Sequence, residues 1–189
     1  NYLLTGSDSR ECIDPTGERS DTIMVLRVEP ATRQAAVLSF PRDLWVSVAG
    51  SNKTSRISET FDPQNPKQLI DTIWENLLIP VDHYVNVDFC AFKDIVDAIG
   101  GIAFPFEYAA RDRNTGLDIA VPECHTFGGD EALAYVRSRH YEYLDPATNG
   151  WITDPTSDLG RITRQQDFLQ RAIRKAIDAS LGNPAALMD

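Results

Sequence analysis

Strand-like and helix-like apolar patterns alternate along the whole of this chain, and that alternation limits the fold more than any other feature. Short runs bounded by Gly, Pro and polar residues read as strands over 2–5, 21–29, 34–40, 83–87 and 102–106. The link over 30–33 is short enough for a hairpin, Pro41 ends the third strand, and 44–48 reads as a further extended piece. Between the strands lie stripes at helical spacing. Leu69, Ile70, Ile73, Trp74, Leu77 and Leu78 give one wide apolar face, with Asn65 to cap the helix, Pro66 at its first position and Pro80 to stop it. Phe92, Ile95, Val96 and Ile99 form a second stripe, ended by Gly100-Gly101. A third helix fits 129–138, and a last one runs from about 159 to 181 with Phe168, Leu169, Ala172 and Ile173 on one side. The segments 51–66 and 140–157 read as long polar loops, and 111–117 as the tip of a hairpin. The expected architecture is α/β, a three-layer α/β/α sandwich around one mixed β-sheet, in a single domain spanning 1–189.

Composition narrows the function. The formal charge of −10 argues against generic binding to nucleic acid or to an anionic lipid surface. The basic residues are nevertheless skewed: 14 are Arg and 4 are Lys, and Arg offers a planar, permanently charged fork that suits phosphate oxygens. No apolar run approaches the ~18 residues of a membrane span. Cys12, Cys90 and Cys124 show no zinc spacing, and His83, His125 and His140 are scattered. GxGxxG, GxxxxGK[ST] and GxSxG are all absent.

Four polar blocks stand at the ends of the apolar elements. Gly6-Ser7-Asp8-Ser9-Arg10 follows the first strand, Arg19-Ser20-Asp21-Thr22 enters the second, and Pro41-Arg42-Asp43 follows the third. The fourth is split: Arg137-Ser138-Arg139 ends a helix, and Asp158-Leu159-Gly160-Arg161 opens the last one, with Arg164 and Gln165 one turn on. If the blocks converge, Asp8 and Asp21 supply two hard carboxylates suited to Mg²⁺ held partly through a phosphate. Arg19, Arg42, Arg137, Arg139 and Arg161 then surround a strongly anionic group, and Arg161 and Gln165, four apart, share one helix face. That is equipment for phosphoryl transfer, where positioning and charge neutralisation dominate. Each block alone also fits a turn, a surface ion pair, a helix-dipole contact or, for Asp158, an N-cap.

Taken in this order the blocks resemble the LytR-CpsA-Psr family of cell-wall phosphotransferases: GSDSR at 6–10, RSDT at 19–22, SFPRD at 39–43, FKDIVDAIGGI at 92–102, HTFGGDEALAYVRSRH at 125–140 and DLGRITRQQ at 158–166. The long segment between the last two blocks is similar to actinobacterial members. The resemblance implies transfer of a glycopolymer phosphate from a polyprenyl-pyrophosphate carrier to peptidoglycan or a related acceptor. It also implies Mg²⁺ as cofactor, a membrane anchor outside this chain and a place on the extracytoplasmic face of the cell membrane. Carried over by motif, Asp8 and Asp21 are the metal-side carboxylates. Arg42, Asp158, Arg161 and Gln165 are the catalytic set, and Arg10, Arg19, Arg56, Arg137 and Arg139 bind substrate. Arg56-Ile57-Ser58 stands where many members have Lys-Ile-Asn, so Arg56 keeps the charge. The lipid tail implies an apolar tunnel, with Ile73, Trp74, Leu77, Phe92, Ile95, Val96 and Phe168 as lining or as plain core. A pyrophosphatase with the same site residues and a non-catalytic module for anionic wall polymer are the competing readings. An extracytoplasmic setting permits disulfides. A Cys12–Cys124 bridge would tie the first site loop to the segment leading into Arg137 and Arg139, with Cys90 buried and unbridged.

Overall fold

The computed structural model describes residues 1–7, 20–29, 31, 32 and 34–182. They fall into two compact units, Asn1–Ala91 and Phe92–Asp189.

In the first unit β1 (Tyr2–Ser7), β2 (Ser20–Glu29) and β3 (Gln34–Phe40) are followed by the short strands β4 (Trp45–Ser47) and β5 (Thr54–Arg56). A 3₁₀ turn (Ile57–Thr60), α1 (Lys67–Leu77) and β6 (His83–Val87) complete it. The main sheet has the order β3-β2-β1-β6. β1 and β2 pair antiparallel from Tyr2↔Leu26 to Gly6↔Thr22, β2 and β3 from Ile23↔Phe40 to Glu29↔Gln34. β6 lies parallel to β1, from Tyr2↔His83 to Gly6↔Val87. A parallel neighbour needs a long crossover, and the β4–β5 hairpin and α1 supply it. Leu3, Ile23, Val25, Phe40, Val46, Ile57, Leu69 and Ile73 form the core of this unit.

α1 buries Leu69, Thr72 and Ile73, the i, i+3, i+4 stripe. Its apolar face is narrower than the spacing suggests, since Trp74 and Leu77 remain 50% and 41% exposed. Pro66, not Asn65, holds the N-cap position, without a side-chain cap. The helix stops before Pro80: Leu78 turns left-handed at φ 56 and donates its N–H to the Trp74 carbonyl.

The second unit takes up most of α2 (Phe89–Ala98), which Asp88 opens by accepting the Ala91 N–H at 2.7 Å. β7 (Ile102–Pro105), β8 (Ala110–Asp112), β9 (Leu117–Ile119), β10 (Cys124–Phe127), α3 (Gly129–Arg137), β11 (Glu142–Asp145), β12 (Gly150–Thr153) and α4 (Asp158–Gly182) follow. β7 pairs with β10, and a separate antiparallel sheet has the order β12-β11-β8-β9. Phe104, Phe127, Tyr135 and Phe168 centre the core, with Phe104 and Phe127 each 5.0 Å from the Tyr135 ring.

Close approach fixes where α3 begins. A Cβ on Gly129 would lie 2.7 Å from the Lys93 carbonyl oxygen and 2.8 Å from its Cα, so only glycine lets α3 start against α2. The Gly129 N–H donates to Asp97 Oδ1 at 2.7 Å, satisfying an orphan donor of the first turn.

The mixed α/β class stands, but a single central sheet does not. The described strands form two four-stranded and two two-stranded sheets: β4 pairs with β5 alone, and all six described strands after β6 pair among themselves. The expected loop over 140–157 contains a β-hairpin, with Tyr143↔Ile152 and Leu144↔Trp151 paired. The cysteine assignment is also corrected. Cys124 is a free, exposed thiol, whereas Cys90 is disulfide-bonded. The proposed Cys12–Cys124 bridge therefore does not form; Cys12 itself lies outside the described residues. Among the described residues no helix is long and apolar enough to cross a membrane.

Candidate active site

The first unit assembles a chain of alternating charges where β2 begins and β3 ends. The antiparallel pairing of Ile23 with Phe40 brings the first residues of β2 beside those that follow β3. Arg42 Nη1 thus lies 2.8 Å from Asp21 Oδ1, and its Nε lies 3.5 Å from Asp43 Oδ2. Arg56 closes β5 opposite Trp45, and its Nη1 reaches 3.3 Å from Asp43 Oδ1. The backbone holds this order. Ile57 N–H donates to the Leu44 carbonyl at 2.8 Å and Ser58 N–H to the Arg42 carbonyl at 3.3 Å. Arg56 is therefore part of the Arg42 cluster. These side chains are partly exposed, so their ion pairs add little to stability. Asp8, Arg10 and Arg19 lie outside the described residues.

The second unit assembles a tighter group at the start of α4. Asp158 and Arg161, three apart on one helix face, sit with Arg161 Nη2 2.9 Å from Asp158 Oδ1. Arg139 Nε approaches the same oxygen at 3.3 Å. Arg161 is only 3% exposed, Asp158 34%. Arginine keeps its charge when buried, so two charged guanidiniums share one carboxylate oxygen. Gln165, four residues beyond Arg161, donates Nε2–H to the Val136 carbonyl at 3.0 Å. Arg137 is half buried at the end of α3, and the extended backbone of Ser138 leads on to Arg139.

Three residues outside the expected set hold this group in place. Arg164 donates Nη2–H to the Ser138 carbonyl at 2.8 Å and Nη1–H to Asp154 Oδ2 at 3.1 Å, with its guanidinium over the Tyr141 ring. Burial raises the Asp154 pKa, but hydrogen bonds from Thr156 and the pairing with Arg164 outweigh it and leave the carboxyl below its usual range. Asp112 is fully buried and accepts bonds from the Ser138 hydroxyl, from the Arg139 and His140 N–H groups and from Asn114 N–H. Those bonds likewise prevail over burial and depress its pKa. The Asx turn at Asp112 is a sequence signal; its reach to 138–140 is not, because that contact spans 26 to 28 residues.

The expected lipid-tail residues divide. Ile73 lies in the core of the first unit, Val96 and Phe168 in that of the second, and the Phe92 ring packs 5.3 Å from Phe168. Trp74, Leu77 and Ile95 are exposed at 50%, 41% and 52%.

Among the described residues no three His, Cys, Asp or Glu side chains are grouped to hold a metal ion. Asp21 is a hard oxygen donor, 39% exposed, and Mg²⁺ is commonly held by one or two carboxylates plus substrate phosphates, so the donor chemistry fits that ion.

Comparison with known proteins decides the family. The LytR_cpsA_psr family profile matches residues 1–184. The chain belongs to the LytR-CpsA-Psr family. It is 32% identical over 190 residues to a polyisoprenyl-teichoic acid–peptidoglycan teichoic acid transferase TagU of Halalkalibacterium halodurans, covering 100% of this chain and 57% of that protein. The chain thus spans little more than half the length of the curated relative it matches. Among solved structures, the LytR-Csp2A-Psr enzyme from Actinomyces oris superposes with a TM-score of 0.79 at 29% identity, covering 98% of this chain and 64% of the other. The family protein YwtF (TagT) with bound octaprenyl pyrophosphate lipid superposes with a TM-score of 0.68 at 26% identity, covering 93% and 63%.

Proposed function

We propose that this LytR-CpsA-Psr domain transfers a glycopolymer phosphate from a polyprenyl-pyrophosphate carrier to peptidoglycan or a related wall acceptor. The observation that carries the reading is the buried Arg161 sharing Asp158 with Arg139, a preorganised pair of guanidiniums. In the transfer, the acceptor oxygen bonds to the phosphorus attached to the glycan while the bond from that phosphorus to the bridging oxygen breaks. The lipid leaves as polyprenyl monophosphate and the acceptor hydroxyl gives up its proton. Negative charge builds on the departing phosphate, and fixed guanidiniums stabilise it without reorganising.

Arg139 and Arg161 bind and orient the phosphates in the second unit, and Gln165 holds the α3 terminus beside them. In the first unit Arg42 and Arg56 offer further guanidiniums, and Asp21, with Asp8, would hold Mg²⁺, which supplies charge neutralisation of the pyrophosphate. In the first unit the exposed Trp74 and Leu77 on α1 offer apolar surface to a lipid tail. A lipid-linked donor and a wall acceptor support a reading in which the enzyme works at the extracytoplasmic face of the membrane, and a membrane anchor elsewhere in the protein is part of this proposal.

The test incubates an octaprenyl-pyrophosphate-linked glycan with peptidoglycan fragments, with Mg²⁺ or with EDTA. Expected is polyprenyl monophosphate released in step with glycan-bearing peptidoglycan, and loss of both in EDTA. Monophosphate released equally without acceptor would identify a pyrophosphatase, and binding without turnover a wall-polymer module.

A further inference from the structure

We propose that Asp112 is a positioning residue of the phosphate site: its buried carboxylate fixes the backbone of 138–140 and through it the guanidinium of Arg139. The proposal rests on the reading of the Arg139–Asp158–Arg161 group as a pyrophosphate site. Asp112 ends β8 and is 0% exposed. Its Oδ2 accepts from the Ser138 hydroxyl at 2.7 Å, from His140 N–H at 2.9 Å and from Arg139 N–H at 3.1 Å. Its Oδ1 accepts from Asn114 N–H at 2.9 Å. Burying a carboxylate is costly, and here neutral donors converging on its two oxygens compensate that cost.

The residue's own carbonyl adds a second hold, accepting from Gly116 N–H at 2.9 Å and Thr115 N–H at 3.2 Å. The turn that carries the carboxylate is therefore braced from behind. From the opposite side, Arg164 binds the Ser138 carbonyl and Gln165 the Val136 carbonyl, both from α4. The segment bearing Arg137 and Arg139 is thus gripped through its N–H groups by Asp112 and through its carbonyls by α4. An amide cannot replace the carboxylate: whichever way Asn is turned, its NH₂ faces an N–H or O–H donor. Arg139 departs from this clamped backbone toward Asp158 Oδ1, so a shift of the 138–140 backbone moves the guanidinium against Arg161. Misplacement of this kind, at a distance from the reacting atoms, weakens a preorganised site.

The experiment is a double-mutant cycle on the whole chain, read as the dissociation constant of geranyl pyrophosphate by calorimetry, with thermal melts to confirm folding. Arg139→Ala should weaken binding about tenfold or more, the loss of a charged hydrogen-bonding partner. Asp112→Asn should weaken it about fivefold, and the double variant should bind within about twofold of Arg139→Ala, because both changes act through one guanidinium. If Asp112→Asn binds like wild type, or if the two losses multiply in full, Asp112 serves stability alone and the proposal is overturned. If Arg139→Ala binds like wild type, the pyrophosphate site itself is misassigned and both readings fall. Should Asp112→Asn not fold, Ser138→Ala, which removes one donor from the same oxygen, takes its place in the cycle with the same outcomes.

Discussion

Asp158 is the sharpest place to test the electrostatics of the second unit. Its Oδ1 stands 2.9 Å from Arg161 Nη2 and 3.3 Å from Arg139 Nε, and it opens α4, where a negative charge also favours the helix dipole. At an effective dielectric near 20, each pair represents about 5 kcal/mol of gross attraction. Desolvation and the 34% exposure of Asp158 reduce the net loss in Asp158→Asn to about 1–3 kcal/mol. For a chain of this size, the middle of that range lowers the melting temperature by about 4–8 °C. The variant also leaves Arg139 and Arg161 without their shared counter-charge, so an anion gains more by joining them. If pyrophosphate binds about tenfold tighter, its stabilisation at a fixed saturating concentration grows by about 1.4 kcal/mol. The assay is thermal unfolding at low ionic strength, with and without pyrophosphate. A lower melting temperature without ligand, together with a larger ligand-induced rise than in wild type, is expected. An equal or smaller rise would mean that Asp158 does not occupy the charge a phosphate would take, and the argument fails.

Arg161→Lys should lower turnover about 10²–10³-fold with the fold intact, since a point charge cannot span carboxylate and phosphate as the guanidinium fork does; a wild-type rate would mean that net charge alone matters. On native, unreduced protein a thiol reagent should modify Cys124 and spare Cys90; labelling at Cys90 would contradict its disulfide. Asp112 has a depressed folded pKa, so its contribution to stability is complete above the ordinary value of 3.8 and is lost as pH falls through the lower folded value. Acid unfolding of Asp112→Asn should therefore be less steep below pH 3.8 than that of wild type; identical acid limbs would count against a buried, charged Asp112.

What could be read from the chain alone follows from how far apart the interacting residues lie. The apolar run of β3 and Pro41 after it set Arg42 at a strand end, and the four-residue step from Arg161 to Gln165 sets both on one face of α4. Those are local facts. The β11–β12 hairpin is hidden because Pro146, Thr148, Asn149 and Gly150 give it the composition of a loop, although Leu144 and Trp151 pair across it. The division into several sheets depends on which strands pair, and short runs such as 110–112 and 117–119 carry no mark of their partner. Which cysteine is bridged, and Asp112's hold on 138–140, are likewise tertiary outcomes.

The hairpin between the two arginine-bearing segments is fastened at its base. Asp154 N–H donates to the Tyr141 carbonyl at 2.7 Å, Leu144 N–H to the Ala109 carbonyl at 2.9 Å, and Arg164 grips Asp154. Its tip over 146–149 is fixed mainly by Asp145, which accepts from Ala147 N–H and the Thr148 hydroxyl, and by Asn149 at a φ of 51°. Length added at such a tip costs only slowly growing loop entropy, while the fastened base insulates what lies below it. The tip is therefore a natural port for engineering: an epitope or a fluorescent reporter spliced into 146–149 would ride on the hairpin and leave the spacing between Arg139 and Arg161 untouched.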